Sequence, residues 1–108
     1  MKIAEIKTFR IHPKAIKEAW DNDDYVWPSR PPSFIVRITT DVGEHGVGEA
    51  TSQVWYLGET AEQIASCLTL YNDVLRGHDP ENIAIAHRLM DGCYSGGMPG
   101  WRTARSAV

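Results

Sequence analysis

Residues 34–51 predict a β-hairpin, and this feature limits the chain to folds that contain an antiparallel sheet. The first arm alternates apolar and polar residues, as does a strand with one buried face. Its apolar positions are Phe34, Val36 and Ile38. Residues 40–44 have turn chemistry, because Gly43 can adopt a positive φ, and residues 45–51 return as the second arm.

An earlier segment, residues 3–12, is rich in β-branched and aromatic residues and predicts another strand. Its apolar positions change phase, from Ala4 and Ile6 to Phe9 and Ile11. A bulge near Lys7 would explain this change, and so would a strand that is covered on both faces. Three consecutive strands with one short connection indicate an antiparallel meander.

Glycines occupy one face of the third predicted strand. Gly46, Gly48 and Ala50 share this face because side chains alternate along a strand. The G-x-G pair lacks the third glycine and the following helix of a dinucleotide site. We expect instead a smooth strip against which other backbone packs closely.

The second half of the chain has helical patterns. Residues 60–63 have the sequence of a capping box, in which the Thr60 hydroxyl and the Gln63 amide satisfy free backbone donors. Apolar residues at helical spacing continue to Leu75, and Gly77 is a natural end.

Two further helices are predicted after this one. Asp79 and Pro80 have the chemistry of a helix start. The expected apolar face of the second helix is Ile83, Ala86, Leu89, Met90 and Cys93. A glycine-rich loop follows, and residues 101–108 begin a third helical pattern that ends on an apolar residue. We therefore expect a single domain, 1–108, truncated within its third helix.

Composition excludes several classes of protein. Eleven basic and 14 acidic side chains give a net charge of −3, which disfavours nucleic-acid binding. No apolar segment approaches the ~20 residues of a membrane span, and the first residues do not form a signal peptide. Cys67 and Cys93 fit reduced thiols better than a disulfide or a zinc site, so we expect a cytoplasmic protein.

No pattern predicts a catalytic or metal site within these residues. The four histidines lack metal-binding spacing, and the acidic segment 18–24 lacks the glycine and terminal glutamate of a calcium loop. Both cysteines lie on apolar helix faces, where thiols are usually inert.

Two connections contain most of the aromatic residues. Residues 14–33 form an unusually long connection that includes Trp20, Tyr25 and Trp27, and residues 51–58 include Trp55 and Tyr56. These side chains either form a small satellite core, or they line a pocket or contact a partner domain.

The order of these motifs resembles one protein family. Residues 40–50 read Thr-Asp-Val-Gly-Glu-His-Gly-Val-Gly-Glu-Ala and are similar to the T-D-x-G-x-x-G-x-G-E-A hairpin of the enolase superfamily, in its mandelate racemase and muconate-lactonizing branch. Weaker matches keep the same order: the first strand from residue 1, the loop 56–60, an L-x-G-x-D-P link at 75–80 and an A-x-x-A-[IV] helix start at 104–108.

The resemblance implies an α+β capping domain, with a three-stranded antiparallel meander followed by a helical bundle. In the family this domain closes over a (β/α)-barrel that carries the Mg²⁺ ligands and the acid/base residues. No catalytic or metal-binding residue is therefore assigned to this chain, and the 108-residue chain alone is expected to be inactive.

The resemblance also implies the activity of the intact protein. It would be a Mg²⁺-dependent enzyme that abstracts a proton α to a carboxylate, of cycloisomerase or racemase/epimerase type. An acid-sugar dehydratase is the alternative within the superfamily. A free-standing protein-binding module with aromatic loops is the alternative of another class.

The same resemblance implies that the aromatic loops form a lid over the substrate. Tyr56 is the first candidate for substrate binding because an aromatic residue before G-E-[ET] commonly faces the substrate. The other candidates are Trp55, Trp20, Trp27 and Tyr25. The expected partners are a carboxylate-bearing small molecule, the C-terminal barrel and further copies of the protein, with neither nucleic acid nor membrane.

Overall fold

The structure is a computed structural model that describes residues 1–12, 32–52, 58–93 and 99–108. In these residues a three-stranded antiparallel sheet precedes three helices, which confirms the predicted α+β class. The strands are β1 (Ile3–Ile11), β2 (Ser33–Thr40) and β3 (His45–Thr51). The helices are α1 (Ala61–Leu75), α2 (Ile83–Asp91) and α3 (Trp101–Ala107).

The sheet is a meander in the order β1-β2-β3, and its two faces differ. The inner face packs on the helices, and Phe34, Val36 and Ala50 are buried there as the alternation predicted. The outer face lies opposite the helices. It carries the side chains that alternate with the buried ones along each strand, including Arg37 and Val47. The helices thus cover one face of the sheet.

The bulge in β1 lies at Ala4, so the prediction of a bulge near Lys7 was wrong. The pairing with β2 shifts between Ile3 and Glu5 and is regular from there to Ile11. A bulge inserts one residue, so Ile3 and Ile6 are both buried on the inner face although they are three positions apart.

The core lies between the inner face of the sheet and α1. Ile64, Leu68 and Tyr71 of α1 are almost completely buried, and α1 contacts β1 and both other helices. Asn72 of the same helix accepts a hydrogen bond at 3.3 Å from the backbone N–H of Ile6. No helix in the described ranges combines the length and apolarity needed to cross a membrane.

The predicted capping box at the start of α1 is confirmed. The backbone N–H of Gln63 donates to Thr60 Oγ1 at 3.2 Å, and the backbone N–H of Thr60 donates to Gln63 Oε1 at 2.9 Å. The helix ends at Leu75, and Gly77 follows with a φ of 83°. This end also joins the sheet, because the N–H of Gly77 donates to the carbonyl of Ile3 at 2.8 Å.

The helix start predicted at Asp79 and Pro80 was wrong. Asp79 Oδ1 accepts from the N–H of Glu81 at 2.9 Å, which closes a turn instead of a helix. The N-cap is Asn82, whose Oδ1 accepts from the N–H of Ile85 at 3.2 Å. Both side chains are good caps, and the one that lies closer to the apolar run prevails.

The expected apolar face of α2 is only partly confirmed. Met90 is buried, and Ala86, Leu89 and Cys93 pack against the core. Ile83 is 64% exposed, because it lies on the first turn of α2, which is outside the core cluster.

We predict that Thr60→Ala lowers the free energy of unfolding by about 1 kcal/mol, because the backbone N–H of Gln63 at the start of α1 loses its partner, the Thr60 hydroxyl. Thermal unfolding should show a decrease of roughly 4–8 °C in the melting temperature. The matched control is Thr69→Ala, since Thr69 is exposed within α1 and its hydroxyl donates to the carbonyl of Ala65 in the same helix. Equal melting temperatures for the two variants would contradict the role of the cap.

Candidate functional site at the loop end of the domain

One end of the domain joins three segments that lie outside the described residues: 13–31, 53–57 and 94–98. Ile11 pairs with Ser33 and Ser33 pairs with Thr51, so the first two segments leave and rejoin the sheet at the same end. We call this region the loop end. Its described residues are Arg10, Ile11, Pro32, Ser33, Thr51, Ser52, Glu59, Thr60, Glu62, Pro99 and Gly100.

Buried hydroxyl groups connect the strands at the loop end. The hydroxyls of Ser33 and Thr51 lie 2.9 Å apart, and Ser52 Oγ donates to the carbonyl of Pro32 at 3.0 Å. The backbone N–H of Ser52 donates to the same carbonyl at 3.3 Å. Ser33 and Ser52 are each 1% exposed, so these bonds replace those to water and fix the distance between the two loop ends.

An ion pair connects the strand side of the loop end to the helix side. Arg10 at the end of β1 and Glu62 in the first turn of α1 lie 3.4 Å apart, and Arg10 also lies over the ring of Phe34. Both charged groups are largely exposed, so the pair adds little stability and serves mainly to orient the two elements.

Glu59 places a buried carboxylate between the second loop and α1. The residue is 6% exposed, and within the described part of the chain its Oε2 has no hydrogen-bond partner. Burial of an unpaired carboxylate oxygen is unfavourable, so a hydrogen-bond donor at Oε2 would stabilise this residue. Its sequence neighbours gave no signal that this glutamate is buried.

Gly100 holds the end of the third segment against α1. Its φ is 88°, and a Cβ at this position would lie 2.6 Å from the carbonyl carbon of Gln63. The thiol of Cys67 donates to the carbonyl of the preceding Pro99 at 3.3 Å. The third segment therefore rejoins the fold beside the start of α1.

The pKa values of both cysteine thiols are raised. Burial, followed by the nearby Glu59 carboxylate and Cys93, raises the pKa of Cys67 to about 11. Burial and the Asp73 carboxylate also raise the pKa of Cys93. Both cysteines are free, and at neutral pH both are thiols, which are poor nucleophiles.

The shifted pKa of Cys67 predicts a loss of stability in alkali. The unfolded thiol ionises near its ordinary pKa of 9.0, whereas the folded thiol ionises near 11, so the stabilisation is complete below pH 9 and is lost between pH 9 and 11. In denaturant unfolding, the free energy of unfolding should decrease by about 2 kcal/mol over this range. In the Cys67→Ala variant the free energy of unfolding should decrease less steeply with pH. Parallel curves for the two proteins would contradict the assignment.

The five predicted substrate-binding residues, Tyr56, Trp55, Trp20, Trp27 and Tyr25, lie outside the described residues. Their assignment therefore stays a prediction. The segments that contain them begin and end at the loop end, between β1 and β2 and between β3 and α1.

The described residues do not fit a metal centre. Within residues 1–12, 32–52, 58–93 and 99–108, no three His, Cys, Asp or Glu side chains lie close enough together to hold a metal ion. His12, His45, His78 and His87 are all exposed.

Comparison with known proteins gave matches among solved structures. No family model and no curated protein matches the chain. The N-succinyl Arg/Lys racemase of Bacillus cereus ATCC 14579 is 29% identical, with a TM-score of 0.78, over 99% of this chain and 28% of the racemase.

Two other solved structures match comparably. The dipeptide epimerase of Enterococcus faecalis V583, complexed with Mg and the dipeptide L-Leu-L-Tyr, is 26% identical with a TM-score of 0.75, over 96% of this chain and 28% of the epimerase. A mandelate racemase/muconate-lactonizing-type protein of Roseovarius nubinhibens ISM, complexed with magnesium, is 26% identical with a TM-score of 0.78, over 99% of this chain and 26% of that protein.

The chain spans about a quarter of the length of these solved structures. The likeness extends over nearly all of its own residues. The resemblance is thereby confirmed: the chain is similar, in fold and in sequence, to one part of the mandelate racemase and muconate-lactonizing enzymes of the enolase superfamily.

Proposed function

We propose that the chain is the substrate-capping domain of a Mg²⁺-dependent isomerase that abstracts a proton α to a carboxylate. The main support is the match, over nearly the full chain, to about a quarter of a racemase and an epimerase. A small domain that covers the active site of a larger enzyme would contribute substrate specificity. The rest of the enzyme would contribute the catalytic residues.

The loop end is the part of the domain suited to this role. Two aromatic-rich segments start from strand ends that hydrogen bonds and buried hydroxyls hold in place. Loops on rigid supports are where substrate contacts concentrate. The aromatic rings would exclude water from the substrate and favour one with an apolar portion.

Mg²⁺ and the acid/base residues would belong to a C-terminal barrel. When bound, the metal would stabilise the enediolate that forms as the proton leaves. The described residues of this chain offer no cluster that could hold the metal, so its share in the reaction is binding, orientation and exclusion of water. We further propose a cytoplasmic protein that forms oligomers.

Deuterium exchange tests the proposal. The full-length polypeptide, which contains this chain and its barrel, is mixed with a dipeptide or an N-acyl amino acid in ²H₂O with Mg²⁺. NMR should show that the substrate exchanges its Cα hydrogen for deuterium. The 108-residue chain alone should give no exchange above buffer. Formation of a 2-keto acid from acid sugars would identify a dehydratase instead, and no reaction with either substrate class would contradict the proposal.

A further inference from the structure

Three hydrogen-bonded side chains connect β3 to β2 at the loop end. Glu49 on β3 is exposed, and its Oε1 accepts a hydrogen bond from the Thr51 hydroxyl at 3.2 Å. The Thr51 oxygen lies 2.9 Å from the hydroxyl oxygen of Ser33 on β2. The register of the sheet pairs Ser33 with Thr51, so these bonds join the end of β3 to the start of β2.

The carboxylate decides which hydroxyl group donates to the other. A threonine hydroxyl has one proton and an ionised carboxylate can only accept, so the Thr51 proton points to Glu49. Ser33 therefore donates to Thr51, although the distance alone allows either direction. Without Glu49, the Thr51 hydroxyl would be free to donate to Ser33 or to water, and its side chain would lose the contact that selects one rotamer.

Both hydroxyl residues lie where a connection meets the sheet. Ser33 is the first residue of β2, after segment 13–31, and Thr51 is the last residue of β3, before segment 53–57. Ser33 is 1% exposed and Glu49 is exposed, so the bonds reach from the surface to a buried position. A change at Glu49 therefore alters this link without creating a cavity in the core.

We propose that Glu49 is a positioning residue for the substrate contacts of the loop end. It orients the Thr51 hydroxyl, which holds Ser33, and so fixes the separation of the two strand ends. The inference rests on the proposed function, in which residues of segments 13–31 and 53–57 bind substrate. Glu49 need not touch the substrate, because a displacement of about 1 Å in the support of a binding residue is enough to weaken binding.

Amide hydrogen exchange of the 108-residue chain tests the link without any substrate. The reporter is the backbone N–H of Ser52, which donates to the carbonyl of Pro32 at 3.3 Å beside the link. Glu49→Leu should increase the exchange rate of this N–H roughly 3- to 10-fold, as for the loss of one hydrogen bond. Glu49→Gln should restore slow exchange, because its amide oxygen accepts the same bond. The N–H of Thr40, at the opposite end of the sheet, should exchange at an unchanged rate.

Steady-state kinetics of the full-length polypeptide tests the effect on substrate. With a substrate that undergoes Cα exchange, Glu49→Leu should raise KM roughly 3- to 10-fold and change kcat less than ~2-fold, because binding is weakened and the chemistry is not. Thr51→Val should have the same effect. The double variant should be no weaker than either single one, since Glu49 acts through Thr51.

Glu5→Leu is the matched control for these variants. Glu5 is also exposed on the outer face of the sheet, but it lies at the end of β1 that is remote from the loop end. Its KM and its Ser52 exchange rate should equal those of the unmodified protein. The melting temperature should be similar for Glu5→Leu and Glu49→Leu, which separates positioning from a loss of stability.

Three results would overturn the proposal. The first is an unchanged exchange rate at Ser52 in Glu49→Leu, which would mean that the carboxylate does not hold the strand ends. The second is equal KM for Glu49→Leu and Glu5→Leu in an active full-length enzyme. The third is a defect that Glu49→Gln does not restore, which would indicate a role of the charge. A full-length polypeptide without Cα exchange would overturn the proposed function and the positioning role together, whereas amide exchange would still report on the link.

Discussion

Gly48→Ala is expected to lower the free energy of unfolding by about 2–3 kcal/mol, as for an overpacked core. A Cβ on Gly48 would lie 1.9 Å from the carbonyl oxygen of Ala107, and the adjoining carbonyl carbon would be 2.7 Å away. These atoms are backbone, so no side chain can move aside, and α3 must shift away from β3. For a domain of this size, the melting temperature should decrease by roughly 10–20 °C.

The neighbouring glycine provides the control. Gly46 lies on the same face of β3, two residues earlier, and no atom lies within 4 Å of a Cβ at that position. Gly46→Ala should therefore change stability by no more than ~0.5 kcal/mol. Similar melting temperatures for the two variants would mean that α3 does not pack closely on the strand.

This pair of glycines shows how far the sequence could predict the packing. Alternation along β3 was sufficient to place Gly46 and Gly48 on one face and to predict a close approach of other backbone. It could not distinguish them, because the helix that approaches Gly48 lies almost sixty residues later in the chain. The local sequence pattern thus predicts which face of the strand lacks side chains. Tertiary packing decides at which glycine the helix approaches that face.

The predictions that failed concern choices between chemically similar neighbours. Asp79 and Asn82 are both able to cap a helix, and three residues separate them. The phase change along β1 required an irregularity, but Ala4 and Lys7 were equally acceptable places for it until the pairing with β2 was known. Where one residue type dominates, as with Thr60 in its capping box, the sequence was enough.

The least predictable part of the candidate site is its polar support. Ser33 and Thr51 are hydrogen-bonded although they are 18 residues apart, and Ser52 bonds to a carbonyl 20 residues away. Isolated serines carry no periodic signal, so only the folded sheet reveals that they meet. The buried carboxylate of Glu59 escaped prediction for the same reason, because its burial depends on elements distant in sequence.

If the chain belongs to the enzyme proposed above, Tyr56→Ala in the full-length protein is expected to decrease kcat/KM roughly 10- to 150-fold without unfolding the protein. The residue lies in the connection from β3, which ends at Thr51, to α1, which Thr60 caps, as the sequence predicted. A phenol there can offer an apolar face and one hydrogen bond to a substrate carboxylate. Loss of such a bond to a charged group corresponds to ~1.5–3 kcal/mol.

Three variants together separate substrate binding from packing. Tyr56→Phe should lose most of the activity if the hydroxyl binds substrate, and little if only the ring does. Tyr71→Phe is the control for a residue that acts only in packing. Tyr71 is buried, and its hydroxyl donates to the carbonyl of Trp101 at 3.4 Å. Loss of this hydroxyl should lower the melting temperature and leave the activity of each folded molecule unchanged. If Tyr56→Ala behaves like Tyr71→Phe, Tyr56 belongs to a small core beneath the loop. The proposed lid would then rest on Trp20, Tyr25, Trp27 and Trp55, because both aromatic segments leave and rejoin the sheet at the loop end.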